Sequence, residues 1–159
     1  MKLAEALALR SDVQKRLAQI QARAVASARY QEGEQPAEHA IELLAQAREL
    51  TDELESLIRR INRTNAASDL EPGMTITDAI ARRDALALRR RVVSAVADAA
   101  SGGHDRAQAW ARQLRSELRQ VTDVPVPQLR SEADDLARQY RELDTRIQEA
   151  NWATELVGQ

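Results

Sequence analysis

Residues 43–64, LLAQARELTDELESLIRRINRT, decide the fold class, because their apolar positions recur at alternating steps of three and four residues. That spacing is the seam of a long amphipathic helix. We expect a helix over about 36–65, which would be roughly 45 Å long and would need partner helices along its length. Apolar side positions widen the stripe and favour a bundle over a lone helix pair. The seam consists of Leu43, Ala47, Leu50, Leu54, Leu57, Ile61 and Thr64, and the side positions are Ile41, Leu44 and Ile58.

Three further segments show helical patterns, at about 2–30, 76–100 and 127–155. Gly33 and Pro36 separate the first two helices, and Pro72 followed by Gly73 indicates a turn before the third. Residues at about 115–126 fit a short extended segment as well as a helix. We therefore predict an all-α protein, an antiparallel bundle of long coiled-coil-like helices, that forms a single domain over residues 1–159.

Composition narrows the classes of partner. The formal net charge is -2, which gives no support to a nucleic-acid partner. The chain has no cysteine, so disulfides and thiolate metal sites are excluded. No apolar run approaches the roughly 18 residues that cross a bilayer, so we expect no membrane contact in the resting state. Residues 1–10 place Glu5 inside a short apolar run, unlike a secretory signal peptide, and we expect the protein in the cytoplasm.

The sequence contains no recognisable catalytic or cofactor motif. The nucleophile elbow, the phosphate-binding loop and the dinucleotide fingerprint are all missing. Di-metal sites in helical bundles use Glu-x-x-His, but the residues three positions before His39 and His104 are Pro36 and Ser101. We predict no catalytic residues, no metal ligands and no cofactor, and the chain suggests no reaction.

Polar residues on or beside the helical seams form the candidate site. If the helices pack with these ends together, an Asn/Arg/Asp network at one end of the bundle results. The pattern favours helix capping and surface ion pairs. A buried network that sets the helix register and a pocket for a small ligand are the alternatives. The candidate polar cluster consists of Asn62, Asn65, Arg83, Asp84, Asp144, Arg146 and Asn151.

Two other features bear on binding. Arg89, Arg90 and Arg91 are consecutive, and consecutive helical residues spread around the helix, so we expect a solvated face rather than a flat phosphate-binding patch. Trp110 and Trp152 are the only tryptophans. Their large amphipathic side chains suit packing in the core, at a bundle end or at a contact between subunits.

The chain resembles a family of small bacterial proteins called septicolysin-like. The stretches that carry the resemblance are 1–10, 32–38, 61–66, 77–84 and 143–156, and the segment LDTRIQEANW at 143–152 is long enough to be specific. The resemblance implies a helical protein with an extended segment before its last helix, here at about 115–126, although Pro125 and Pro127 depart from that pattern. The family name implies a cytolysin.

Three functional hypotheses follow. The long seams, the surplus apolar positions and the absence of catalytic motifs favour a non-enzymatic homo-oligomer, a dimer or larger, that acts through protein–protein contacts. The resemblance alone suggests a pore-forming cytolysin, against which the lack of a long apolar hairpin argues. The polar cluster suggests a small-ligand-binding protein whose ligand the sequence does not identify.

Overall fold

The computed structural model describes residues 1–102 and 121–158, and 75% of these residues lie in helices. In chain order the elements are α1 (Leu3–Ala26), α2 (Ala40–Ala67), β1 (Asp69–Glu71), β2 (Met74–Thr75), α3 (Ile76–Ala100) and α4 (Val126–Ala153). Contacts divide the chain into two compact units. The first unit comprises Met1–Thr77 with Gln148–Gln159, and the second comprises Asp78–Ile147.

In the first unit, α1 and α2 pack along one apolar cluster. The α2 seam is buried as predicted, with Leu43, Leu50, Leu57, Ile61 and Thr64 inaccessible to solvent or nearly so. Burial of each leucine removes apolar surface from water and contributes about 1.5–3 kcal/mol. The cluster that joins the two helices contains Val13, Ile20, Ala24, Leu43 and Leu50, with Leu17, Ala47 and Leu54 packed against it.

The boundaries predicted for the first two helices, 2–30 and 36–65, are wrong at the connecting turn. Helix α1 ends at Ala26 because the next seam positions, Ser27 and Gln31, are polar and gain nothing from burial. Helix α2 begins at Ala40, so Pro36 lies in the loop rather than at a first helical position. An ion pair between Arg23 and Glu38 joins the end of α1 to this loop.

A two-stranded antiparallel sheet, which the sequence pattern did not predict, connects α2 to α3. Glu71 pairs with Met74, and Asp69 pairs with Thr75. Pro72 and Gly73 form the turn, and Gly73 has a φ of 82°, the left-handed value that a type II turn needs at this position. The turn itself was predicted. The strands were missed because three and two residues are too few to show an alternating pattern.

In the second unit, α3 and α4 run antiparallel. Near the start of α3, Arg83 contacts Asp144, and near its end Asp98 contacts Arg130 at 2.7 Å. The two ion pairs therefore lie at opposite ends of the pair of helices. The buried residues described in this unit have mainly small and branched side chains. These are Ala79, Leu86, Ala97, Ala133, Leu136, Ala137, Leu143 and Ile147.

The predicted extended segment at about 115–126 falls partly outside the described residues. Residues 121–125 belong to neither helix nor strand, and α4 begins at Val126, so the extended segment stays a prediction. Pro127 occupies the first turn of α4, where a missing N–H costs nothing. The single domain over 1–159 stays a prediction. None of the described helices is both long and apolar enough to cross a lipid bilayer.

Candidate functional site

Three residues of the candidate polar cluster meet in the second unit. The Arg83 guanidinium donates to Asp144 Oδ1 from Nη1 at 3.1 Å and to Asp84 Oδ1 from Nη2 at 2.9 Å and from Nε at 3.1 Å. One cation thus bridges its own helix, α3, to α4. The wider Asn/Arg/Asp network stays a prediction.

The electrostatics of this group follow from its partial burial. Desolvation lowers the pKa of Arg83, but its hydrogen bonds to Asp84 and Asp144 outweigh that effect and raise the pKa overall. Arg83 is therefore a permanent cation held by two carboxylates. Because its charge is already neutralised by these carboxylates, Arg83 is better suited to hold the two helices together than to bind a ligand.

The remaining members of the cluster are divided between the two units. Asn62, Asn65 and Asn151 belong to the first unit, where Asn62 is exposed and Asn151 is buried. Asn65 is half-buried, and its Oδ1 is the one buried side-chain polar atom without a hydrogen-bond partner in the part of the chain that the structure describes. Arg146 is exposed in the second unit. The seven residues are thus divided between the two units.

Thr64 is a polar residue whose role sequence reasoning missed. Its side chain is fully buried, and its Oγ1 donates to the Arg60 carbonyl at 2.8 Å and accepts from the Val157 amide at 3.1 Å. Arg60 Nε donates to the Val157 carbonyl at 3.1 Å. Both backbone groups of Val157 are therefore satisfied by α2. The sequence feature that could have indicated this role is the presence of a threonine in a seam otherwise made of Leu, Ile and Ala.

The segment that contains Val157 also contacts the start of α1. Lys2 Nζ contacts a Glu155 carboxylate oxygen at 2.8 Å and donates to the Ala153 carbonyl at 3.0 Å. Backbone bonds from Leu3 N to Thr154 O and from Leu156 N to Met1 O complete the contact. We call residues 1–3 and 153–157, with Arg60 and Thr64, the terminal clasp. It brings the start of α1 and the end of α2 to one segment, so these helices are antiparallel.

The two tryptophans were predicted to pack in the core, at a bundle end or at a subunit contact. Trp152 is 64% exposed, so core packing is wrong for this residue. Trp152 follows the buried Asn151 on α4. Consecutive residues lie on different faces of a helix, so Trp152 lies outside the buried face. Trp110 and His104 lie outside the described residues.

Helix α3 carries a second apolar row on the side away from its buried residues. At 100° per residue, Leu88 lies about 200° around the helix from the buried Leu86. The row consists of exposed residues spaced by four, three, four, three and four positions. We call it the outer seam, and its members are Ala81, Ala85, Leu88, Val92, Ala95 and Ala99, with Val96 beside them.

Within residues 1–102 and 121–158, no group of three or more His, Asp or Glu side chains is placed to hold a metal ion. Two carboxylates with lowered pKa values are engaged in ion pairs instead. The pKa of Glu38 is lowered by its hydrogen bonds from Arg23, and the pKa of Glu155 is lowered by those from Lys2 and the terminal amine.

The fold and these contacts define a predominantly helical protein with ion-paired helix ends and a solvent-exposed apolar row on α3. The chain belongs to a family of unknown function (DUF6847), whose model matches residues 10–156. It is similar to a functionally unknown conserved protein from Corynebacterium diphtheriae. That crystal structure is 41% identical, covers 99% of each chain and superposes with a TM-score of 0.88. Comparison with the curated proteins finds no match.

These findings overturn the septicolysin-like resemblance. The family model that matches residues 10–156 describes a family of unknown function, and the comparisons indicate no septicolysin-like family. The stretches that carried the resemblance lie largely on helices, where Leu, Ala, Arg and Glu recur in many unrelated proteins. The cytolysin hypothesis rested only on that name and falls with it.

Proposed function

We propose that the protein is a non-enzymatic, self-associating helical protein, and that the outer seam of α3 pairs with the outer seam of a second copy. One observation carries the proposal. Large apolar side chains of this row are open to solvent, with Leu88, Val92 and Val96 exposed to 56%, 64% and 43%. Contiguous apolar surface of this kind marks protein interaction sites.

The spacing of the outer seam supports a helix as its partner. Apolar residues that repeat every 3.5 positions on average pack into the holes of a facing helix. An antiparallel arrangement places Val92 against Ala95 of the second copy and Leu88 against its Ala99. Each layer then sets a large side chain against a small one, so the two helices interdigitate without voids.

Charges beside the seam favour the same arrangement. Arg91 and Asp98 precede Val92 and Ala99 on the same flank of the row, where charged residues select the partner of a coiled coil. In the antiparallel pair, Arg91 of one copy faces Asp98 of the other, and the two-fold symmetry forms this contact twice. Asp98 accepts from Arg130 at 2.7 Å, and a carboxylate has lone pairs for both guanidinium groups.

The proposal is tested by sedimentation equilibrium across the micromolar range. We expect the wild type to self-associate and the double variant Leu88→Gln with Val92→Gln to stay monomeric. Ile41→Gln is the matched control, since Ile41 is 77% exposed and lies on α2. Arg91→Asp should weaken the dimer, and adding Asp98→Arg should restore it.

Three other outcomes would contradict the proposed pairing of α3 with a second copy. If Ile41→Gln abolishes association and the α3 variant does not, the interface lies at the turn between α1 and α2. If the α3 variant lowers the melting temperature of a monomeric wild type, residues of the same chain cover the outer seam. If the charge exchange fails to restore what Arg91→Asp loses, the antiparallel register is wrong.

A further inference from the structure

A groove in the second unit is positioned to bind an anion. Its volume is about 660 Å³, within the range of roughly 300–1,000 Å³ that small-molecule sites occupy. Both α3 and α4 contribute to it. The lining residues are Ala87, Arg90, Arg91, Ser94, Ala95 and Asp98 from α3, and Tyr140 from α4. We propose that this groove binds a small organic phosphate.

The charge of the groove supports this ligand class. Arg90 and Arg91 form no ion pair with any residue in the described ranges 1–102 and 121–158. Asp98, the one carboxylate among the groove's described lining residues, is paired with Arg130. The groove therefore keeps an excess of positive charge. Each guanidinium presents five N–H donors in a planar fork, which matches the oxygens of a phosphate.

The sequence predicted that Arg89, Arg90 and Arg91 form a solvated face rather than a phosphate-binding patch, and the groove changes this interpretation for two of them. Three consecutive residues do spread around the helix, and Arg89 is not among the groove's lining residues. Arg90 and Arg91, however, reach the same groove, because they lie on either side of the line that Ala87 and Ser94 occupy on α3. At 100° per residue, Arg90 and Arg91 are about 60° and 40° from Ala87. Two of the three cations therefore act at one place.

Neutral groups indicate that the ligand carries more than a phosphate. The ring of the half-buried Tyr140 and the side chains of Ala87 and Ala95 supply apolar area. The hydroxyls of Tyr140 and Ser94 can donate or accept hydrogen bonds. A phosphate attached to a small ring satisfies both sets of groups. A nucleic-acid backbone would need a longer basic stripe.

Isothermal titration calorimetry of the full chain tests the inference, with phenyl phosphate, inorganic phosphate and benzoate as probes at constant ionic strength. We expect saturable binding of phenyl phosphate and weaker binding of the other two. Arg90→Gln should raise the Kd for phenyl phosphate at least about tenfold, or about 1.4 kcal/mol. Tyr140→Phe should raise it less. Arg89→Gln is the matched control, because it removes the same charge from the same helix outside the groove.

Absence of saturable phenyl phosphate binding to a folded wild type would overturn the inference. So would equal losses in the Arg89 and Arg90 variants, since general charge attraction would then explain the binding. Benzoate binding as tightly as phenyl phosphate would show a carboxylate site instead. Arg91, Ala95 and Asp98 belong to both the groove and the proposed pairing of α3, so phenyl phosphate should bind the single chain. The monomeric Leu88→Gln, Val92→Gln double variant should therefore bind phenyl phosphate at least as tightly as the wild type, and titrating it separates this inference from self-association.

Discussion

Replacing Thr64 with valine removes a hydroxyl from the terminal clasp and leaves the side-chain shape almost unchanged. Thr64 Oγ1 accepts from the Val157 amide at 3.1 Å, so the variant leaves this N–H without its partner. An unsatisfied buried donor costs about 1–3 kcal/mol. Val157 is half-buried and water reaches part of it, so the lower part of that range, about 1–2 kcal/mol, applies.

Urea unfolding at neutral pH measures this loss, and thermal unfolding should show a fall in Tm of about 2–8 °C for a chain of this length. Thr51→Val is the matched control. Thr51 also donates to a carbonyl one turn earlier on α2, at 2.7 Å, but it is exposed. We expect its effect to stay within about 0.5 kcal/mol. Amide exchange at Val157 should accelerate only in the Thr64 variant. Equal stability of the two variants would refute the role assigned to Thr64.

Three further predictions concern packing and charge. Leu43→Ala should cost about 2–5 kcal/mol in urea unfolding because it opens a cavity, whereas Ile41→Ala, exposed on the same helix, should cost under about 0.5 kcal/mol. A double-mutant cycle with Arg83→Gln and Asp144→Asn should give a coupling of about 0.2–1 kcal/mol, and zero coupling would contradict the ion pair. The lowered pKa of Glu155 contributes stability above its unfolded value of about 4.3 that is lost as the pH falls through the folded pKa. The stability difference between wild type and Glu155→Gln should therefore shrink below about pH 4, and a constant difference down to acid pH would contradict it.

Local signals made much of the fold predictable. The α2 seam is buried as its spacing indicated, and α3 begins and ends at the predicted residues. Both ends of α3 are set by nearby turn chemistry, Pro72 with Gly73 before it and Gly102 after it. The end of α1 was misjudged, because good helix formers continue beyond Ala26 although the neighbouring helix offers them nothing to pack against.

Contacts between distant residues could not be predicted from the sequence. Thr64 and Val157 are 93 positions apart, and Arg83 and Asp144 are 61 apart. Arg83 and Asp144 were identified only as members of one candidate cluster, and the sequence did not indicate that they pair. The outer seam was hidden for a different reason. Helix α3 is apolar on two sides, so its sequence shows a loose pattern rather than two rows.

The molar mass of the wild-type protein in solution tests the proposed self-association most directly. Light scattering coupled to size-exclusion chromatography, repeated from low to high micromolar loading, should show a mass that rises from that of one 17.7 kDa chain toward twice that value. The double variant Leu88→Gln with Val92→Gln should remain at one chain throughout. A wild type that keeps the mass of one chain at every concentration would contradict the pairing of α3 with a second copy.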